Sequence, residues 1–422
     1  MTPAAGDDAE RSERDRIERA WREEAPRILG AVARTTGDLL LAEDAVQEAL
    51  VRVLQEAGRG RVPANPAAWI TTVARRVALD EFRRERTAAR AGSALAAELA
   101  RSERADVEDR RSDEPGEGNV FTGDERLELI LLVAHPALAA EARVALALRF
   151  VCGVPTARIA EAFLVSEPTM AARLTRAKKR IHASGVRLAL DDTDDVARRM
   201  PDALTTIYLL YTVGHQTADA SLRLDAIALA RDAHRAVRDR ESSGLLALLL
   251  LTEARQATRL TADDEFGMLR DADRSLWNVA LMAEGEQLAA EALAGDGRYA
   301  LQAGIAGLHD IAPTWEATDW PAIARLYDGL VRQWPSPSAR LGRLVALGHS
   351  PDAGPDVGLA GLADDQDLFR GATASQAHAA RAALLQLAGR DAEAADSLRQ
   401  AIAATADERT GRSLARLLAS LE

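Results

Sequence analysis

The sequence predicts an all-α fold, and three observations support this prediction. Ala, Leu and Arg dominate the chain of 422 residues, whereas aromatic residues make up only 4% of it; this composition is typical of packed helices rather than of β-sandwiches. Apolar residues recur at helical spacing along most of the chain. The chain is also longer than one hydrophobic core usually supports, so we expect several helical domains.

Composition also limits the classes of function. No apolar run approaches the roughly 20 residues of a membrane span, and the N-terminus is charged throughout, so we expect a cytoplasmic protein without a membrane segment. The single cysteine, Cys152, cannot form an internal disulfide or a thiolate zinc cluster. The sequence contains no Gly-rich phosphate loop, nucleophile elbow or paired metal-ligating histidines. We therefore expect no catalytic residue, no metal, no cofactor and no enzymatic activity.

Changes in composition divide the chain into six segments. Residues 1–15 are polar and expected to be disordered, 16–90 form a first helical domain, and 91–121 are charged, contain Gly and Pro, and predict a linker. Residues 122–188 form a second helical domain, and 189–200 contain the acidic stretch "DDTDD" and predict a hinge. Residues 201–422 repeat helical segments that bury their apolar faces by stacking, which favours a tetratricopeptide-like solenoid.

The first domain begins with two clear helices. "DLLLAEDAVQEALVRVLQEAG" places Val46, Leu50, Val53 and Leu54 on one predicted core face,. The opposite, exposed face carries Asp44, Gln47 and Glu48. A Gly- and Pro-containing loop follows, and "PAAWITTVARRVALDEFRRER" starts a second helix with Pro66 in its first turn,.

The loop and the second helix carry a basic and aromatic pattern that suits an unstacked nucleic-acid strand. Such a strand needs phosphate contacts and a stacking surface or pocket for a flipped base. The residues of this pattern are Arg61, Asn65, Trp69, Thr72, Arg75, Arg76, Arg83 and Arg84. Trp69 and the nearby Phe82 also fit a plain core role, and the pattern alone does not separate the two interpretations.

The second domain ends in a predicted helix-turn-helix. In "VPTARIAEAFLVSEPTMAARLTRAKKRIHAS", Ser166 caps the second helix, whose buried stripe is Met170, Leu174, Ala177 and Ile181. The exposed side carries small residues near its start and then a run of cations, an arrangement that fits a DNA major groove. This predicted DNA-reading set is Ser166, Thr169, Ala172, Arg173, Arg176, Lys179 and Arg180.

This basic helix contrasts with the charge of the whole chain. The formal net charge is −12, but residues 1–190 contain 30 basic and 30 acidic side chains, so the C-terminal remainder carries all of the excess acid. An acidic C-terminal part could fold back on the basic helices and imitate DNA electrostatically.

The residues of both domains resemble a known family. "LLLAEDAVQEALVRVL", "NPAAWITTVARRVALDEFRRE" and "HPALAAEARVALALRFVCGVPTARIAEAFLVSEPTMAARLTRAKKRI" are similar to regions 2 and 4 of extracytoplasmic-function (ECF) sigma factors of the sigma-70 family. The C-terminal part resembles the tetratricopeptide-like extension of one ECF subgroup.

The resemblance implies partners and roles for these positions. Asp44, Gln47 and Glu48 would bind the β′ clamp of core RNA polymerase, and region 4 would contact the β flap. The basic pattern from Arg61 to Arg84 would capture and melt the promoter −10 element, and the helix-turn-helix set would bind the −35 element. The extension would regulate these activities through a small regulatory protein or a ligand.

Two alternatives remain open on the sequence. A dimeric helix-turn-helix regulator with a solenoid sensor domain uses the second domain but has no need of the first. A plain scaffold would make every helix a solenoid repeat.

Overall fold

A computed structural model describes residues 5–101, 125–183, 190, 193–261 and 265–422. Over these ranges the protein is helical and contains no named strand, which confirms the all-α prediction. None of the helices in these ranges is long and apolar enough to cross a membrane. The chain divides into two compact units, residues 1–222 and 223–422.

Unit 1 contains eight helices over its described residues. They are α1 (Ala5–Thr36), α2 (Leu39–Ala57), α3 (Pro66–Arg101), α4 (Glu125–Val133), α5 (Ala140–Leu146), α6 (Thr156–Ala162), α7 (Glu167–Ala183) and α8 (Thr193–Thr217). A π-helical turn, Ala147–Val151, continues α5.

Helices α1, α2 and α3 pack against one another and form the first helical domain. Their shared core contains Val32, Val53 and Ile70, each with no exposed surface. The predicted core face of α2 is only partly right, since Val46 and Val53 are buried but Leu54 is 47% exposed. Asp38 caps α2, because its carboxylate accepts hydrogen bonds from the backbone N–H groups of Leu40 and Leu41 at 2.8 and 3.2 Å.

Helices α6 and α7 form the predicted helix-turn-helix. The buried stripe of α7 is confirmed, with Met170, Leu174, Ala177 and Ile181 at most 6% exposed. Leu164 in the intervening turn has a φ of +55°, a left-handed conformation that reverses the chain tightly. Ser166 caps α7, since its hydroxyl accepts from the backbone N–H of Thr169 at 3.4 Å.

The structure differs from the expected hinge at 189–200. Helix α8 begins at Thr193, and its side chains pack within unit 1. Arg199 forms a buried ion pair with Asp195 at 2.9 Å and donates to the carbonyl of Leu131 in α4, while Asp202 pairs with Arg143. Asp194 and Asp195 of the acidic stretch lie in the first turn of this helix, where negative charges interact favourably with the positive end of the helix dipole,. The chain divides between residues 222 and 223 instead.

The expected boundaries of the N-terminal segment and of the linker also differ from those in the structure. Helix α1 already begins at Ala5, where disorder was expected for residues 1–15, and α3 extends to Arg101, inside the expected linker. Both segments are rich in Ala, Glu and Arg, which have high helix propensity even where no apolar stripe exists. The rest of the predicted linker, residues 102–121, lies outside the described residues.

Unit 2 consists of helices packed mainly on their neighbours in sequence. They are α9 (Ala220–Val237), which starts just before the division, α10 (Arg240–Ala254), α11 (Val279–Ala292), α12 (Arg298–Ile311), α13 (Trp320–Gln333), α14 (Pro337–His349), α15 (Pro355–Asp364), α16 (Ala374–Leu387), α17 (Asp391–Ala404) and α18 (Glu408–Ala419). This neighbour packing is consistent with a stacked helical array, and the tetratricopeptide-like assignment stays a prediction.

A glycine sets the close approach of α10 and α12, and it allows a stability test. A Cβ on Gly244 would lie 2.5 Å from the backbone nitrogen of Ala300, whereas one on Gly307 would meet only Leu251 at 3.8 Å. We expect Gly244→Ala to destabilise unit 2 by about 2 kcal/mol, because a backbone contact cannot be relieved by a rotamer change. Gly307→Ala should instead stabilise it by about 0.5–1 kcal/mol through helix propensity. Urea unfolding of both variants checks the prediction, and equal shifts would contradict it.

Candidate nucleic-acid interface

The outer side of α7 carries cations that no acidic side chain of the described residues neutralises. Ser166, Thr169, Ala172, Arg176, Lys179 and Arg180 are exposed, whereas Arg173, which the helical spacing also predicts to be exposed, is half-buried. The guanidinium of Arg173 lies 5.8 Å from the centre of the Phe163 ring. Arg176 and Arg180 donate to the backbone carbonyls of Ala172 and Ala137 at 3.3 and 2.9 Å. We call these seven residues the α7 basic face.

Within the described part of the chain, the contacts given for the arginines of the α7 basic face are with neutral groups. Carbonyl oxygens and an aromatic ring position a guanidinium without cancelling its charge, so each cation keeps its attraction for phosphate. Thr169 and Ala172 precede them along the helix, and their small side chains permit close approach to base edges. Exposed cations that follow small side chains are the arrangement that entry of a helix into a major groove would require.

A second basic surface lies on α3 and on the loop before it. Arg61, Thr72, Arg75 and Arg76 are exposed, and neither Arg75 nor Arg76 forms an ion pair with a described residue. Arg83 and Arg84 are also exposed but pair within the helix with Asp80 at 3.7 Å and Glu81 at 2.9 Å. Exposed pairs of this kind contribute little and break readily, so the pair with Glu81 does not prevent Arg84 from binding an anion,. We call Thr72, Arg75, Arg76, Arg83 and Arg84 the α3 basic face.

Trp69 is half-buried at the start of α3, and Phe82 is half-buried further along it. Neither ring is enclosed in the core, so the plain core interpretation does not account for either fully. Trp69 lies one helical turn before Thr72, which places an aromatic ring beside the α3 basic face.

Asn65 also has a local structural role, which an Asn directly before the first-turn Pro66 is well suited to fill,. Its side-chain oxygen accepts a hydrogen bond from the backbone N–H of Ala68 at 3.0 Å, so it caps α3,. The side chain is otherwise exposed. Capping and contact with a base are therefore two separable roles.

Two substitutions separate these roles of Asn65. We expect Asn65→Ala to lower the free energy of unfolding by about 1 kcal/mol, because the cap is removed. Asn65→Asp keeps a capping oxygen and should restore stability, but its negative charge should still weaken binding of single-stranded DNA. Thermal unfolding and a fluorescence titration with an oligonucleotide measure the two effects. Full recovery of DNA binding by Asn65→Asp would show that capping is the only role.

A third surface lies on α2. Asp44, Gln47 and Glu48 are exposed, as predicted. Val51 and Leu54, 49% and 47% exposed, continue the same side of the helix; they follow Asp44 at helical spacing. Exposed apolar residues rimmed by polar ones are typical of a protein-binding surface. Leu54 also fits the spacing of the predicted core face of α2, so the sequence did not predict that Leu54 is exposed beside Asp44. We call these five residues the α2 outer face.

Helices α2 and α7 also contact each other directly. The Lys178 ammonium lies 2.7 Å from a carboxylate oxygen of Glu43, and Nδ1 of His182 lies 2.7 Å from a carboxylate oxygen of Asp38. His182 and Asp44 both line a cleft of about 420 Å³. The two helices that carry predicted interaction surfaces are thus joined by two side-chain pairs.

The histidines and acidic side chains of the described residues form no group that could hold a metal ion. His135 caps a turn through its Nδ1, which accepts from the backbone N–H of Ala137 at 3.1 Å. His309 belongs to an aromatic cluster of unit 2 with Trp315 and Trp320.

Comparison with known proteins places these surfaces in recognised segments. Residues 20–88 match the model for sigma-70 region 2, residues 128–181 match the model for sigma-70 region 4, and residues 199–293 match a family of unknown function. An uncharacterized protein of Rhizobium meliloti (strain 1021) is 36% identical over 388 residues, which cover 90% of this chain and 89% of that protein. No solved structure matches significantly.

Proposed function

We propose that this chain, which belongs to the sigma-70 family of RNA polymerase sigma factors, directs core polymerase to specific promoters as an ECF-type sigma factor. Region 2 would bind the clamp through the α2 outer face and open the −10 element through the α3 basic face. Region 4 would bind the −35 duplex through the α7 basic face and contact the β flap. Any catalysis would belong to the polymerase, and the protein would act in the cytoplasm.

One observation carries this proposal. Both matched regions present exposed cations without a carboxylate partner among the described residues, Arg75 and Arg76 on α3 and Arg176 and Lys179 on α7. The chain is acidic overall, so two such surfaces are not a by-product of composition. A sigma factor needs both surfaces, because it holds a duplex and an opened strand of the same promoter.

Run-off transcription with core polymerase on a promoter library tests this function. The expected result is that the protein confers initiation at a defined set of promoters. Binding to DNA without initiation would indicate a conventional helix-turn-helix regulator instead. No effect on DNA or on polymerase would indicate a scaffold.

We assign a regulatory role to the C-terminal extension, which we also propose to be tetratricopeptide-like. The extension should be removed after Leu222 rather than at the expected hinge, residues 189–200, because α8 supplies Asp202 and Arg199 to unit 1. Run-off yield and promoter affinity of the shortened chain then report the sign of the regulation. An unchanged run-off yield together with an unchanged promoter affinity would contradict the regulatory role.

A further inference from the structure

A cleft in unit 2 combines apolar side chains with a cation. The cleft has a volume of about 630 Å³ and lies among α15, α16 and α17. Leu359 and Phe369, both half-buried, line it together with the buried Leu362 and Leu385. Sites that bind small organic molecules have volumes of roughly 300–1,000 Å³, so this cleft is large enough for such a ligand.

The positive charge of the cleft is concentrated at Arg381. This side chain lines the cleft, is exposed, and forms no ion pair with an acidic side chain in the described part of the chain. Arg390, also in the lining, donates two hydrogen bonds of 2.7 Å each to Glu393, which offsets its charge. Asp356 lines the cleft as well and attracts Arg390. An anion would therefore be attracted at Arg381 and repelled near Asp356.

His378 places a hydrogen-bonding ring beside Arg381. The two residues are three apart on α16, so they share one face of the helix, and both line the cleft,. The ring of His378 packs edge-on against Phe369 with ring centres 4.8 Å apart, and its Nδ1 is buried without a hydrogen-bond partner among the described residues. Burial and the nearby Arg381 lower the pKa of His378, so the ring is neutral near pH 7,. A neutral imidazole can donate one hydrogen bond and accept another.

These groups restrict the chemistry of a ligand. Leu359 and Phe369 suit a hydrocarbon or aromatic body, and a guanidinium binds a carboxylate or a sulfonate with charge-assisted hydrogen bonds. A second negative charge on the same small molecule would be repelled by Asp356. The cleft therefore favours an acid that is both amphiphilic and singly charged.

We propose that this cleft binds a small organic acid with an apolar body and a single negative charge, and that this acid is the ligand through which the C-terminal extension regulates initiation. The anionic group would lie at Arg381 and His378, and the apolar body against Leu359 and Phe369. The binding site depends only on contacts within unit 2, whereas the regulatory effect rests on the proposed function.

Fluorescence titration of the full chain with two matched probes tests the site. Anilinonaphthalene sulfonate carries one negative charge, and phenylnaphthylamine has the same aromatic skeleton without it. We expect Arg381→Gln to weaken binding of the sulfonate at least roughly tenfold, because a charge-assisted interaction is lost, and to leave binding of the neutral probe unchanged. The matched control is Arg399→Gln on α17, which removes a cation outside the cleft lining and should change neither affinity.

A second substitution fills the cleft itself. Ala363 lies on α15, is exposed and lines the cleft, so the fold should accommodate Ala363→Trp. This variant should lose most of its binding of both probes, and urea unfolding checks that unit 2 remains folded. Phenylbutyrate should displace the sulfonate from the unmodified protein, whereas its neutral amide and inorganic phosphate should not.

Three outcomes would overturn the site or its ligand class. The site is wrong if the unmodified protein does not bind the sulfonate. It is also wrong if folded Ala363→Trp binds both probes as before, because the probes would then lie elsewhere. Equal weakening of the two probes by Arg381→Gln, or displacement by the amide as effective as that by phenylbutyrate, would contradict an acid as the ligand.

Run-off transcription tests the regulatory effect separately. Saturating phenylbutyrate should shift the protein concentration that gives half-maximal run-off at least roughly fivefold, a coupling of ordinary size between two sites. The same acid should have no effect on Ala363→Trp. An unchanged half-maximal concentration in protein that binds the acid would overturn the regulatory effect of the cleft. Absence of initiation both with and without the acid would instead reject the sigma-factor function, and the fluorescence titration would still decide the binding site.

Discussion

Reversal of Arg173 and Arg176 to glutamate is expected to reduce promoter-dependent initiation by at least roughly 100-fold, because two attractive interactions of about 1–3 kcal/mol each become repulsive. Both residues lie on the outer side of α7, while the core stripe beneath them is left intact. The slope of log affinity against log salt for the −35 duplex should also decrease by about 0.9 for each phosphate that is no longer neutralised.

The matched control is the same reversal on α13 of unit 2. Arg325 and Arg332 lie on this helix and outside both matched sigma-70 regions in sequence, so Arg325→Glu with Arg332→Glu changes the net charge of the chain equally. Initiation by this control should remain at the level of the unmodified protein. Equal reductions in the two variants would mean that net charge, rather than the α7 basic face, governs binding.

The second large effect is expected in unit 2, where the half-buried His309 and the adjacent, buried Asp310 have pKa values shifted in opposite directions. His309 packs against Trp315 and Trp320 with ring centres 5.9 and 5.3 Å apart. Burial, together with Arg255 and Arg274, lowers the pKa of His309 to about 4. Burial raises the pKa of the neighbouring Asp310 to about 6, although Arg255 lies 3.3 Å from its carboxylate and opposes this rise.

These two pKa shifts make the stability of unit 2 depend on pH in opposite directions. The folded state holds His309 neutral. The contribution of His309 to the free energy of unfolding is therefore complete above about pH 6.5, and about 3 kcal/mol of it is lost as the pH falls towards about 4. The folded state holds the proton of Asp310 more tightly than the unfolded chain does. Its contribution is therefore complete below about pH 3.8 and disappears as the pH rises through about 6, by about 3 kcal/mol.

Single substitutions should separate the two contributions. Relative to the unmodified protein, the free energy of unfolding of His309→Phe should rise as the pH is lowered from about 7 to about 4.5, and that of Asp310→Asn should fall. Urea unfolding followed by tryptophan fluorescence at both pH values measures this difference, since Trp315 and Trp320 lie beside His309. Parallel pH profiles for the two variants would contradict the burial of these groups.

The parts of the fold that the sequence predicted are those with strong apolar periodicity. The stripe from Met170 to Ile181 determined both the position of α7 and the direction of its basic side, because each inward residue has an outward neighbour about 100° away. The residues Asp44, Gln47 and Glu48 were placed correctly on the exposed side of α2 by the same rule.

The parts that the sequence did not predict depend on contacts between distant residues. The acids of residues 191–195 predict a hinge from the sequence alone. In the structure, Arg199 donates to a backbone carbonyl of region 4 and Asp202 pairs with an arginine of region 4. Leu54 is exposed because the helices that pack on α2 do not cover it. The pairing of Lys178 with Glu43 has no local signal, since the two residues belong to different matched regions.

Permanganate footprinting of promoter DNA with core polymerase is the sharpest test of the sigma-factor function, because permanganate oxidises thymines that are unpaired. We expect reactive thymines at the −10 element only when the protein and core polymerase are both present, and we expect them to disappear with Arg75→Glu and Arg76→Glu. Protein that occupies the −35 element in the presence of core polymerase but leaves the −10 thymines unreactive would contradict the proposed role of region 2.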